Sequence, residues 1–219
     1  MLRSMVSGAV LLLGFSAAQV AFADAIPYPN IGSYNVVTYS FTAAFTGDIV
    51  AYFVGGIHAD YENKLGLLVN GVDTGIYGLD NHTSSIGDSL DFGFVSGGAS
   101  LVFVLQNLTL GASAYSDPSL NLSYDAISGT PNPLGNNHIY STTYTATSSP
   151  FFPGVPTGPY VAFEDIPFPI ADFNYDDESF VFTNVVGTPG VPEPGSVVLL
   201  VTALGLIGLT RKRKSRSSW

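Results

Sequence analysis

Between Asp24 and Gly190 no stretch of ten residues carries helical apolar spacing, whereas apolar and polar side chains alternate in run after run. A period of two marks strands with one buried face, and it confines the chain to an all-β fold. From Tyr34 to Phe45, the residues Val37, Tyr39, Phe41, Ala43 and Phe45 share one side. Thr46-Gly47-Asp48 then turns the chain into Ile49 to Val54, which predicts a long hairpin. Lys64 to Val69 reads as a strand that returns through Asn70-Gly71, the strongest short turn signal in the chain, into Val72 to Tyr77. Ser89 to Val95 and Ala99 to Gln106 predict a second hairpin across Ser96-Gly97-Gly98, with Leu108 to Ala114 continuing in the same layer. Tyr115 to Asn137 dissolves into Asp, Pro, Asn, Gly and Ser and reads as a long loop, broken at Asp117-Pro118 and Thr130-Pro131-Asn132-Pro133. Strands resume at His138 to Thr145, Tyr160 to Phe163 and Phe180 to Val186. The pattern predicts an antiparallel β-sandwich of about nine to eleven strands, jelly-roll-like in arrangement.

Charge narrows the partners. The segment 24–190 holds Lys64 alone against sixteen carboxylates, because the other basic residues are Arg3 and the group Arg211, Lys212, Arg213, Lys214 and Arg216. So acidic a surface excludes nucleic acid and anionic lipid as partners of this segment. With no cysteine, the chain has no disulfide, thiolate metal site or cysteine nucleophile.

The two ends read as addresses rather than as fold. Residues 1–23 hold one early arginine, an apolar run from Val6 to Phe15 and a small-residue site at Ala21-Phe22-Ala23, the order of a secretory signal peptide. This predicts passage through the general secretion machinery and cleavage by signal peptidase, leaving 24–190 as an extracytoplasmic domain. At the other end come Val191-Pro192-Glu193-Pro194, then an uncharged run from Gly195 to Thr210, then Arg211-Lys212-Arg213-Lys214. As a helix the run would span roughly 24 Å, a short transmembrane segment. The basic cluster would hold its far end in the cytoplasm. The prolines keep the backbone around Glu193 extended and open to a processing enzyme.

This three-part order, over residues 191–219, resembles the PEP-CTERM sorting signal of Gram-negative bacteria. The resemblance implies recognition and cleavage by the membrane enzyme exosortase after transient residence in the inner membrane. It further implies delivery to the cell surface or the extracellular matrix, in bacteria that secrete exopolysaccharide and form biofilms.

The sharpest chemistry lies between residues 164 and 178, where six carboxylates fall together: Glu164, Asp165, Asp172, Asp176, Asp177 and Glu178. Such packing is unfavourable unless water or a cation compensates it. Asp172-x-Asn174-x-Asp176 spaces three oxygen donors at every second residue, as calcium loops do, and Glu164, Asp165 and Asp177 would complete the shell. The loop is not an EF-hand, since Asp177 stands where glycine is required and Thr183 where the bidentate acid should be. Calcium is therefore the expected cofactor, and the competing reading is a solvated acidic edge whose Asn and Asp side chains cap turns. Phe163-Glu164-Asp165, followed by Asp172-x-Asn174-Tyr175-Asp176-Asp177 and the Phe180-Val181-Phe182 strand, is similar to the end of a β-rich domain in bacterial secreted and PEP-CTERM proteins. In that domain acidic residues at such positions imply metal binding.

Other chemistry is weakly signalled. His58 with Asp60 and His82 with Asp80 can be drawn as acid–base pairs, yet these histidines, like His138, lie in or beside Gly/Asn-rich loops and none has a second histidine at ligand spacing. No G-x-S-x-G elbow is present, and a glycosidase pair would need Glu164 or Asp91 to approach another acid in space. The expectation is a non-enzyme with a structural or adhesive role in exopolysaccharide or biofilm, through calcium, polymer or self-association. The alternative is a lectin-like carbohydrate-binding module, and a polysaccharide hydrolase comes last. The one tryptophan is Trp219, so sugar stacking would fall to Tyr61, Tyr77, Tyr115, Tyr124 or Tyr140. Asn81, Asn107 and Asn121 open glycosylation sequons.

Overall fold

A computed structural model describes residues 26–56, 59–129, 135–146, 152 and 154–190. The leader, His58, the Val191 to Pro194 motif, the apolar run after it and the basic cluster lie outside the described residues. Eleven strands are described: β1 (Tyr39–Ala43), β2 (Gly47–Gly55), β3 (Asn63–Val69), β4 (Val72–Gly78), β5 (Ser89–Val95), β6 (Ser100–Asn107), β7 (Ala112–Tyr115), β8 (Ile139–Tyr144), β9 (Gly158–Phe163), β10 (Glu178–Thr183) and β11 (Val185–Pro189). They form two antiparallel sheets, one ordered β11-β1-β6-β3-β4 with β7 also beside β6, the other β5-β2-β10-β9-β8. The all-β sandwich is thus the architecture of the described chain. No helix among the described residues is long and apolar enough to cross a membrane.

Alternation decides what each sheet buries. Phe41, Leu65, Leu67, Phe103 and Leu105 of the first sheet meet Ile49, Phe53, Phe163, Phe180 and Phe182 of the second in one core. At its centre the Phe103 and Phe182 rings stack with centroids 3.9 Å apart. A second apolar layer, of Tyr28, Tyr144, Phe152, Tyr160, Tyr175 and Val181, covers the outer face of the second sheet. Strands β9 and β10 are therefore buried on both faces, which is why they read as unbroken apolar runs.

The hairpin at Asn70-Gly71 forms as read, with Asn70 at φ 50° and Gly71 at φ 78°. The two other expected hairpins do not form. β1 pairs with β11 and β6 while β2 pairs with β5 and β10, and β5 and β6 likewise belong to different sheets. The short segments between them are corners of the sandwich, and local alternation is the same for a corner as for a hairpin. Phe180 to Val186, read as one strand, is split at Asn184, whose φ of 59° sends β11 into the other sheet. These three corners are tied together: the Phe45 backbone N–H donates to Asn184 Oδ1 (2.9 Å) and the Gly97 N–H to Thr46 Oγ1 (2.9 Å).

The expected long loop from Tyr115 also carries a short helix α1 (Leu122–Asp125), preceded by a 3-10 turn at Pro118–Leu120 whose Asp117 cap accepts from the Ser119 N–H. Four residues are too few to show a helical period in the sequence. The three sequon asparagines are buried and bonded: Asn81 and Asn121 donate to backbone carbonyls, and Asn107 to the Tyr124 hydroxyl. They are structural amides rather than glycan acceptors in the folded chain.

Candidate metal centre

The acidic residues gather at the end of the sandwich opposite the three corners, where β9 stops and β10 starts. Antiparallel pairing brings Phe163 and Glu178 opposite each other, so the residues flanking that pair meet. Asp177 N–H donates to the Phe163 carbonyl (3.2 Å), and Asp177 Oδ2 accepts from the Asp165 N–H (2.8 Å). Carboxylate oxygens of Glu164, Asp165 and Asp177 consequently lie within 4.8 Å of one another. Glu164 and Asp165 are buried, and Glu164 Oε2 meets no hydrogen-bond donor.

Two further contacts fix the cluster to the other sheet. Asn63, first residue of β3, donates its side-chain amide to Asp165 Oδ2 (2.7 Å), and Asn107, last of β6, donates to the Asp165 carbonyl (3.3 Å). The Tyr124 hydroxyl donates to the same carbonyl. Behind Glu164, His138 Nδ1 faces the Glu164 carbonyl and Nε2 faces Asp125 Oδ1, each at 2.9 Å. Both partners present oxygens to the ring, and this buried His138–Asp125 pair backs the site. Burial alone would raise the Asp125 carboxyl, but the hydrogen bond and charge of His138, with the Phe168 and Asn136 donors, hold it below the ordinary range.

Nothing comparable compensates the cluster itself. Burial pushes Glu164 up to about 8, with the charge of Asp172 adding to it. Burial also lifts Asp165 to about 6, against the hydrogen bonds it accepts. Asp177 is raised well above the ordinary carboxylate range by burial and by the charges of Asp165 and Glu164, and Asp176 is raised by burial and Asp172. Lys64, the one lysine or arginine among the described residues, stands 3.9 Å from Asp80.

The cluster opens into a cleft of about 390 Å³ whose walls include Asp60, Tyr61, Ile166, Asp172, Asn174 and Asp176. The expected Asp172-x-Asn174-x-Asp176 ligand loop borders this cleft, but its side chains bond its own backbone and one another. Asn174 Nδ2 donates to Asp172 Oδ2 (3.0 Å), and Asn174 Oδ1 accepts from the Asp176 N–H (3.2 Å). These turns aim the loop, while Asp172 makes its charge felt on Glu164, Asp165 and Asp176. Of the six expected ligands, three converge, Asp172 stands over them, and Asn174 and Asp176 lie along the rim.

Neither Asn63 nor Glu178 is among the expected ligands, although Glu178 belongs to the acidic run. The former has no acidic character, and the latter looks like an ordinary first residue of a strand. Of the tyrosines considered for stacking, Tyr61 lines the cleft, whereas Tyr124 is buried in the core. His82 is not paired with Asp80 through its ring: Nε2 reaches the Ala59 carbonyl (2.9 Å), and Asp80 accepts from the His82 backbone N–H. Asp91 is exposed on β5 and accepts from the Gly93 N–H (2.8 Å), so it pairs with no acid in the cleft. Comparisons with family models, curated proteins and solved structures return no match.

Proposed function

We propose that this chain is an exported surface or matrix protein whose sandwich holds calcium at Glu164, Asp165 and Asp177, with Asp172 beside them, and whose role is structural or adhesive rather than catalytic. The observation that carries the calcium reading is three carboxylates within 4.8 Å, one with an oxygen that meets no donor, with the engaged Lys64 the one lysine or arginine among the described residues. Buried anions at that separation are stable only when protonated or bound to a cation, and oxygen-only donors on irregular loops suit calcium, which accepts flexible geometry. The destination rests on the sequence: the leader, Val191-Pro192-Glu193-Pro194, the apolar run and the basic cluster carry the PEP-CTERM resemblance and make exosortase the processing partner. In this reading calcium bridges the domain to exopolysaccharide or to neighbouring copies, while the excess acid keeps it soluble. We read the sandwich, whose chain crosses repeatedly between its sheets, as jelly-roll-like.

A carbohydrate-binding module is the second reading, favoured by the open cleft beside the cluster with Tyr61 on its wall. Calorimetric titration with calcium is expected to give saturable binding that weakens roughly tenfold or more in Asp177→Asn, since even outer partners of a metal ligand are worth that much. A titration without heat, or equal affinity in the variant, removes the calcium reading. Calcium-dependent growth of particle size in light scattering favours bridging between copies, whereas calcium-dependent glycan retention without growth favours the module. In a host with exosortase, Glu193→Ala is expected to accumulate unprocessed precursor, and wild-type processing of that variant removes the sorting assignment.

A further inference from the structure

We propose that the inner wall of the cluster is a second cation position, formed by both carboxylate oxygens of Glu178, the side-chain oxygen of Asn63 and the carboxylate of Asp165, and that it takes a hard divalent cation. It rests on the calcium reading above in one respect, that Asp165 is shared with the outer ion.

Glu178 stands opposite Phe163 and two residues before Phe180, both in the core between the sheets, so its side chain faces that layer. It is fully buried, and neither of its oxygens meets a donor. From the other sheet, Asn63 precedes Leu65 and Leu67, whose side chains lie in the same layer, and it too is fully buried. Its amide hydrogens go to Asp165 Oδ2 (2.7 Å) and the Tyr61 carbonyl (3.3 Å), and its oxygen Oδ1 meets no donor. Two opposed strands thus turn unpaired oxygens toward the same layer of the core, where Asp165, a member of the outer cluster, accepts from the Asn63 amide and acts by its charge on Glu178.

All three of these unpaired atoms are acceptors. A water molecule brings two hydrogens and a proton on Glu178 brings one, whereas a cation answers every acceptor at once. The surrounding charge has the same sense: Asp80, Asp165 and Asp177 all act on Glu178. Calcium draws on six to eight oxygens at about 2.3 to 2.6 Å, so a bidentate Glu178, Asn63 Oδ1, a shared Asp165 oxygen and waters make a chemically complete set.

The test is the number of calcium ions held by the full chain, by native mass spectrometry and by calorimetric stoichiometry with calcium chloride. The wild type is expected to hold two and Glu178→Gln one, the remaining ion keeping its affinity within about twofold. One ion in the wild type, retained in Glu178→Gln and lost in Glu164→Gln, overturns the inner position and leaves the outer one standing. That result would make Glu178 a buried neutral acid. Two ions in both the wild type and Glu178→Gln overturn it as well, by placing the second ion elsewhere. No ion in any form overturns both positions. The wild-type count needs no variant, so misfolding of Glu178→Gln does not spare the proposal.

Discussion

In the presence of chelator the protein is expected to melt higher at pH 5 than at pH 8, by roughly 5–15 °C, and saturating calcium is expected to reverse that order. The sign follows from the direction in which the fold moves its acids. Glu164 is raised to about 8 and Asp165 to about 6 by burial, so the folded chain holds protons that the unfolded chain has released. The stability tied to these groups is fully present below their ordinary values near pH 4 and is lost as pH rises through about 6 and then about 8. Each pH unit across which one extra proton is held amounts to about 1.4 kcal/mol, and about 1 kcal/mol moves the melting point of a domain this size by roughly 2–4 °C. Asp125 works the other way, but being held below the ordinary range it loses its contribution only at pH lower than this window. Calcium in the proposed site would bind the ionised carboxylates, displacing the protons and stabilising most at the higher pH. Melting curves at the two pH values, with and without calcium, test all of this together. A higher melting point at pH 8 in chelator would mean that the cluster is ionised and compensated without metal.

Gly56→Ala is expected to cost roughly 3–6 kcal/mol and to lower calcium affinity at least tenfold. Gly75→Ala, a matched control, is expected to cost about 1 kcal/mol and leave affinity unchanged. Both glycines adopt positive φ, 103° and 70°, so both substitutions carry the strain of that backbone region. They differ in what a methyl group would meet. At Gly75 there is nothing within 4 Å, whereas at Gly56 the new carbon would lie 2.6 Å from the Glu178 Cα and closer still to the Asp177 carbonyl oxygen. Those atoms are backbone and cannot rotate away, so the end of β2 and the start of β10 must separate. That movement draws Asp177 away from Glu164 and Asp165. Denaturant midpoints give the stability terms and titration the affinity terms, and equal losses in the two variants would show that the close approach at Gly56 does not hold the site together.

Strand identity was legible because alternation is a local property, and so was the Asn70-Gly71 hairpin, whose turn demands positive φ at both positions. Strand partnership was not legible. Thr46-Gly47-Asp48 and Ser96-Gly97-Gly98 have hairpin composition, but they cross between sheets because Phe41 and Ala43 in one layer must face Ile49 and Ala51 in the other. Asn184 hid a corner inside an apolar run, since one left-handed residue leaves the hydrophobic pattern on either side intact. The acidic run pointed to the end of the molecule where Glu164, Asp165 and Asp177 converge. However, Asp172-x-Asn174-x-Asp176 spells a calcium loop and a chain of side-chain-capped turns equally well, because a backbone N–H two residues on competes with a cation for the same oxygen. Glu178 was readable in principle. It lies in period with Phe180 and Phe182, and a strand whose inward positions begin with an acid announces a buried charge.

The pairing of β11 with β1 sets how the sandwich responds to a mechanical load. Pro189 lies beside Tyr39, and the Gly190 N–H donates to the Thr38 carbonyl (2.6 Å), so the chain leaves β11 beside the point where it enters β1. In an antiparallel pair the hydrogen bonds run perpendicular to the strands, and tension between these two points acts along the bonds. The ladder from Pro189 back to Val185 then parts one rung at a time, like a zipper, instead of resisting as a whole in shear. A tug on the segment beyond Gly190 would peel off the last strand first and reach the aromatic centre of the domain only afterwards.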